Sequence, residues 1–184
     1  MREQHSPRRV VNGPVGNSPR IAPAFVAFAS SHAQIEIAAP PTRVWQVLSN
    51  IERWPSWNAL VQNATLSGPL QPGSVFRWKS KGLSVMSTLI EVTPNRCLVW
   101  TGKALGTRAL HTWEIDEIDR GTLLKTAEWF GGWLPRFMPT AMQRTLDETL
   151  PAWLQQIRAA AERSTTQAPS IMGADMNPRA LTRQ

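Results

Sequence analysis

Apolar and polar residues alternate along most of the middle of this chain. "QIEIAAP" (34–40) alternates and then stops at Pro40-Pro41, which predicts a strand followed by a break. In "PTRVWQVLSN" the period changes. Val44, Trp45 and Leu48 fall on one side of a short helix that opens with Pro41, tolerated in a first helical turn, and ends near Asn50. "IERWPSWN", with Pro55 between two Trp, predicts a short helical turn and a loop carrying aromatic side chains. Alternation then returns in "ALVQNATL", "GSVFRWKS", "LSVMSTLIEVTP", "NRCLVWTGK", "RALHTWEID" and "TLLKTAEWF". Phe76 and Trp78 share one face against Arg77 and Lys79. Met86, Thr88, Ile90 and Val92 stand opposite Glu91, and Leu98 and Trp100 fall together. Charged residues between apolar ones mark one wet and one enclosed face, and the short loops predict an antiparallel meander.

The last segment is helical. Met138, Met142, Leu146, Leu150, Trp153 or Leu154, and Ile157 recur every three or four residues, to about Arg163. Pro151 falls inside this pattern and predicts a kink or a division near residues 147–151. One strand, two short helices, six more strands and a long helix make an α+β domain with a sheet of about seven strands. A sheet with one apolar face must cover it, and the C-terminal helix is the natural cover.

Residues 1–32 and 165–184 mix Pro, Gly, Asn and Ser without lasting periodicity, and all nine Trp lie between them. We read 1–32 as a disordered N-terminal tail, 33–164 as one domain and 165–184 as a disordered C-terminal tail. The ends also hold much of the charge: of the formal +7, the first segment carries +3 and the last +1, leaving +3 for the domain. Arg and Lys are scattered there rather than gathered on one face, which argues against nucleic acid as a partner. Cys97 is the single cysteine, so an intramolecular disulfide and a two-cysteine metal motif are excluded. It lies in the apolar run "CLVW", as a buried inert thiol does. No run of about 18 apolar residues offers a membrane span. "RIAPAFVAFASSHA" imitates a secretory signal, but it contains Pro and follows a long lead. A cytoplasmic location is expected, with a cleaved signal as the alternative. The sequence does not choose between monomer and homodimer.

The candidate chemistry is a pair. "IDRG" predicts a tight hairpin turn centred on Asp119-Arg120, which pairs residues whose numbers sum to 239. Ile115 then faces Leu124, Trp113 faces Thr126, and His111 faces Glu128. Lys125 on the wet face sends Leu124, Thr126 and Glu128 to the enclosed one. A buried carboxylate needs a partner, and imidazole beside it serves as a structural tie, a polar anchor for a ligand, or a general acid or base. One bulge would break the pairing. No phosphate loop, metal motif or positioned Ser or Cys nucleophile accompanies it, so no metal or nucleotide cofactor is expected.

Taken in order, "IEIAAPPTRVWQVLSNIERWPSWN", "GPLQPGSVFRW", "STLIEVTPNRCLVWTGKALG", "HTWEID", "GTLLKTAEWFGG" and the terminal helix resemble the START-like (SRPBCC) superfamily. Within it they are most similar to the polyketide cyclase/dehydrase-like branch, over roughly residues 33–163. The resemblance implies a helix-grip fold: a bent antiparallel sheet wrapped around the C-terminal helix, with a deep apolar cavity between. It also implies a small hydrophobic ligand, ring-containing or lipid-like, and in some members cyclisation or dehydration. No residue set is universal to the superfamily, so function must come from the site.

Under that expectation the ligand-binding candidates on strands are Phe76, Trp78, Met86, Thr88, Leu98 and Trp100. Trp113, Thr126 and Phe130 join them from the last hairpin, with His111 and Glu128 as the polar and candidate catalytic pair. Trp54 and Trp57 on the loop, and Met138 and Met142 at the helix start, complete the set. In "FGGWLPRFMP" (130–139), Gly131-Gly132 reads as a hinge. Trp133, Phe137 and Met138 read as a lid, a surface dipping into membrane, or aromatics packed back on the sheet. Three functions stay open: binding of an apolar ligand, a cyclase or dehydrase using His111 and Glu128, and a protein-interaction module.

Overall fold

Inward alternation fixes the architecture. The computed structural model describes residues 26–163; the expectations for 1–25 and 164–184 lie outside them. The elements are β1 (Ala29–Ile37), α1 (Pro41–Ser49), a 3₁₀ turn (Ile51–Ser56), β2 (Val61–Ser67), β3 (Val75–Ser80) and β4 (Leu83–Thr93). They continue with β5 (Cys97–Ala104), β6 (Thr107–Ile118), β7 (Gly121–Gly131), α2 (Trp133–Phe137) and α3 (Pro139–Arg163). Every pairing is antiparallel, in the order β1-β7-β6-β5-β4-β3-β2. The sheet curves around α3 in a helix-grip arrangement. Among these residues no helix is long and apolar enough to cross a membrane.

β1 starts at Ala29, ahead of the expected domain boundary at residue 33, and pairs Ala29 with Phe130. Its inward positions 29, 31 and 33 hold Ala, Ser and Ala, too small to read as an apolar alternation. This edge strand is covered by α3 rather than left open. Gln143 accepts from the Ser30 N–H at 3.1 Å and donates to the Ser30 carbonyl at 2.9 Å. The Ser31 hydroxyl donates to Asp147 at 2.7 Å, and Glu162 accepts the Ala38 N–H at 3.0 Å. Near the other edge, Gln156 accepts the Ala59 N–H at 2.6 Å. The helix is thus tied at both sides of the sheet. It continues through Pro151 as one helix, contrary to the expected division. Leu146 and Leu150 before the proline and Trp153, Leu154 and Ile157 after it form one buried stripe, whose packing outweighs one lost backbone bond.

Two groups of side chains lie elsewhere than alternation places them, each for a local reason. A bulge between Leu89 and Glu91 leaves Ile90 outside the ladder with β5. Val92 beyond it packs on the core as alternation predicts, but before it the inward residues are Val85, Ser87 and Leu89. Met86, Thr88 and Ile90 therefore face outward, with Met86 and Ile90 exposed. The 3₁₀ turn, in its own way, rotates Trp54 fully inward, where its indole N–H donates to the Leu48 carbonyl at 2.9 Å. That carbonyl, in the last turn of α1, needs a donor, and the donation lets the whole ring be buried.

The hairpin between β6 and β7 turns at Asp119-Arg120, with Ile118 paired to Gly121. Gly121 has φ 132°, and a Cβ there would run into the Ile37 carbonyl oxygen, where β1 hands over to α1. Thr122 beside it donates to the Ala39 carbonyl at 2.7 Å. Gly68 also has positive φ, but its surroundings are open. Gly68→Ala should cost about 1–2 kcal/mol from backbone conformation alone. Gly121→Ala should cost more, by roughly 2 kcal/mol, because the β1–α1 junction must open. Urea unfolding of both variants checks this; equal losses would show that the junction yields freely.

Candidate functional site

The inward residues of the strands change size partway along. At one end they are large: Phe76 on β3, Leu89 on β4, Leu98 on β5, Trp113 on β6 and Leu124 on β7, all fully buried. Toward the other end they become small: Ser87 and Val85 on β4, Gly102 and Ala104 on β5, Ala109 and Thr107 on β6. A close-packed interior has no voids of its own, so the row of small residues opens one. The result is a cavity of about 330 Å³ between sheet and α3. Trp78, Trp100 and Trp153 stand on its lining where packed core gives way to space, and Leu134, Phe130 and Met142 wall it further out. Thr145 and Thr149 face it from α3, their hydroxyls already donated to the carbonyls of Ala141 and Thr145.

The sequence candidates divide accordingly. Trp78, Trp100, His111, Glu128, Phe130 and Met142 line the cavity. Trp54, Phe76, Leu98 and Trp113 belong to the packed core beneath it. Trp54 alone meets Phe76, Trp78, Trp100 and Trp153, with centroids 5.1–5.9 Å apart. Trp57 packs against that core beside Trp153. Thr126 lies behind His111, Met86 and Thr88 face away, and Met138 is exposed. Sequence reasoning missed Ser87, Gly102, Ala104 and Ala109, since it sought large apolar side chains. The signal was a run of small residues at inward positions of neighbouring strands. Cys97, in a partly buried site, is held as a thiol: burial pushes it up to about 12, and the charges of Glu91 and Glu114 add to the effect.

His111 and Glu128 are cross-strand partners, and the His111 Nδ1 lies 3.3 Å from a Glu128 carboxyl oxygen. The hydrogen bonds around them decide where protons sit. The Thr126 hydroxyl donates its single proton to the Thr112 carbonyl at 3.0 Å. Its contact with His111 Nε2, at 2.8 Å, must then be one in which Nε2–H donates. In neutral imidazole that leaves a bare lone pair on Nδ1, aimed at the carboxyl. Two lone pairs facing each other in a buried site repel, so a proton lies between Nδ1 and the carboxyl oxygen. That proton, on Nδ1 or on the carboxyl oxygen, ties the two side chains together. The imidazole is sandwiched between indoles: its centroid is 4.7 Å from Trp100 and 4.9 Å from Trp113, nearly parallel to the latter. Packing fixes the ring plane, and the Thr126 bond fixes its rotation. The buried ionisable feature of the cavity is thus a rigid pair, and Ser80, Lys81 and Ser87 add polar groups elsewhere on its lining.

Comparison with known proteins agrees with this architecture. The family described as polyketide cyclase / dehydrase and lipid transport matches residues 29–162, and the chain belongs to that family. No curated protein matches it. Among solved structures it resembles the Zhui aromatase/cyclase from Streptomyces sp. R1128, with TM-score 0.67 at 16% identity over 74% of this chain and 94% of that one. A START superfamily protein from Mycobacterium smegmatis gives TM-score 0.64 at 16% identity, over 73% and 98%. The di-domain ARO/CYC StfQ from the steffimycin biosynthetic pathway gives 0.65 at 14%, over 75% and 52%. At such identities these neighbours speak to the fold. Family membership supports a role in binding a small hydrophobic ligand or in cyclisation.

A contacting pair couples energetically. His111→Ala and Glu128→Ala should each destabilise the protein, with a non-additivity of about 0.5–3 kcal/mol in a double-mutant cycle. Additive losses would show that the two side chains do not share a proton.

Proposed function

We propose that the cavity holds a small apolar, ring-containing molecule whose carbonyl or hydroxyl group is anchored by His111 and Glu128. The observation that carries this reading is the combination of apolar walls with one buried polar pair. About 330 Å³ is at the small end of the volumes ligand sites occupy. The flat indoles of Trp78, Trp100 and Trp153 suit the face of a ring. Such a ligand gains by leaving water, while the pair sets its orientation through the proton it holds.

The shared proton favours a second reading, proton transfer of the cyclase or dehydrase kind. In a dehydration the pair gives its proton to a departing hydroxyl, which leaves as water. The carboxylate so formed takes a proton from the adjacent carbon, a double bond forms, and the pair is restored. His111 acts by orienting and charging Glu128, and the apolar walls exclude water that would compete for the proton. The first reading remains the stronger, because binding requires only what the cavity already has.

Native mass spectrometry of the protein purified gently from its own host tests both. A bound species with a mass of a few hundred daltons is expected, and Ala109→Phe, which fills the cavity, should abolish it. Glu128→Gln should retain the fold and lower occupancy if the pair anchors the ligand. If the pair is catalytic, the same variant should keep its ligand in unconverted form. A consistently empty wild-type protein would sink the ligand-binding reading.

A further inference from the structure

The five-residue helix α2 has two faces with different fates. Leu134 lines the cavity, whereas Trp133 and Phe137 project outward at 58% and 75% exposure. They share a surface depression with Val26, Phe28, Arg108 and Arg136. Leu105, 69% exposed, sits at the tip of the adjoining β5–β6 turn. This is an apolar patch far denser than the scattered exposed side chains normal on a protein surface. It borders the cavity, since Ala104 and Thr107 on either side of that turn are cavity residues.

The patch is built rather than loose. The Leu134 N–H donates to the Gly106 carbonyl at 3.1 Å. A Cβ at Gly106 would collide with the Trp133 ring, and one at Gly132 with the Gly106 carbonyl oxygen. Gly132, second of the glycine pair, thus allows close contact with the hairpin tip, and α2 lies against that tip with its aromatics outward. Charge is equally one-sided. Arg108 and Arg136 are exposed and make no ion pair among the described residues, and no carboxylate lines the depression. The chain reaches Val26, inside the patch, from a stretch carrying four Arg and one Glu.

We infer that this surface docks on an anionic lipid bilayer, with Trp133 and Phe137 in the interface and Arg108 and Arg136 on the headgroups. Exposed aromatics ringed by unpaired Arg are what the boundary between acyl chains and negative headgroups accommodates. The inference deepens the proposed function, since it gives an apolar ligand a way between cavity and membrane that avoids water. Its test does not involve the ligand.

Sedimentation of the full chain with sucrose-loaded vesicles decides it. Wild type should bind vesicles of phosphatidylcholine and phosphatidylglycerol in equal amounts, and bind phosphatidylcholine alone much more weakly. High salt should reduce the difference. The double variant Trp133→Ala/Phe137→Ala should lose binding to both. Arg108→Gln/Arg136→Gln should weaken anionic binding by roughly tenfold or more and erase most of the preference. Glu128→Gln should sediment like wild type, so failure of the ligand reading and failure of docking are distinguishable. Three outcomes would overturn the inference. They are wild type remaining in the supernatant with both vesicles, equal binding to both, and a dimer in solution that Trp133→Ala/Phe137→Ala dissolves, which would make the patch a protein contact.

Discussion

A single hydroxyl proton orders the interior of this protein. Thr126 has one proton to donate and gives it to the Thr112 carbonyl, so it must accept from His111. That fixes the protonated nitrogen of the ring, turns the other toward Glu128, and requires a proton between them. The arrangement is stable only because every partner is present. Thr112 and Thr126 sit on the paired strands β6 and β7, and Trp100 and Trp113 hold the ring between them. Removing any member strands a polar group in a buried site, which is costly. The same requirement places the pair where core ends and cavity begins, within reach of a ligand but out of bulk water.

The cavity and the docking patch arise from the same local choices. Small residues on β4, β5 and β6 withhold side-chain volume from one end of the sheet, and α3, tied to both sides of the sheet, is prevented from collapsing into the gap. At the open end the β5–β6 turn uses Gly106 to admit the Trp133 ring, which positions α2 with Leu134 inward and its aromatics outward. Space for a ligand, a polar group to orient it and an apolar lip thus adjoin one another. Binding uses this equipment as it stands, and proton transfer would draw on the same pair.

Much of this was legible in the sequence, and the exceptions have particular causes. The hairpin register, with numbers summing to 239, followed from Asp119-Arg120 and from Lys125 on the wet face, where it now pairs with Asp116 at 2.7 Å. It held because no extra residue interrupts β6 or β7. In β4 one bulged residue, Ile90, reversed the faces of Met86 and Thr88, and apolar residues at both parities hid the reversal. The short helical turn expected at "IERWPSWN" is there, but its 3₁₀ geometry turns Trp54 into the core, where a place on the adjoining loop was expected. Trp113 and Trp100 read alike as inward aromatics. Only the size of their neighbours on other strands, a property of the assembled sheet, makes one core and the other cavity wall.

The state of the His111 ring tests the account most directly, and nitrogen-15 NMR of histidine-labelled protein reads it. His111 Nε2 should carry a proton at neutral pH, with Nδ1 either protonated or shifted as the acceptor of a strong hydrogen bond. Replacing Glu128 by Gln should change the Nδ1 signal while leaving Nε2 protonated. A His111 ring with a bare Nε2 would contradict this arrangement, because Thr126 would then be donating to it and the ring would hold its one proton on Nδ1 as an ordinary donor to a Glu128 carboxylate.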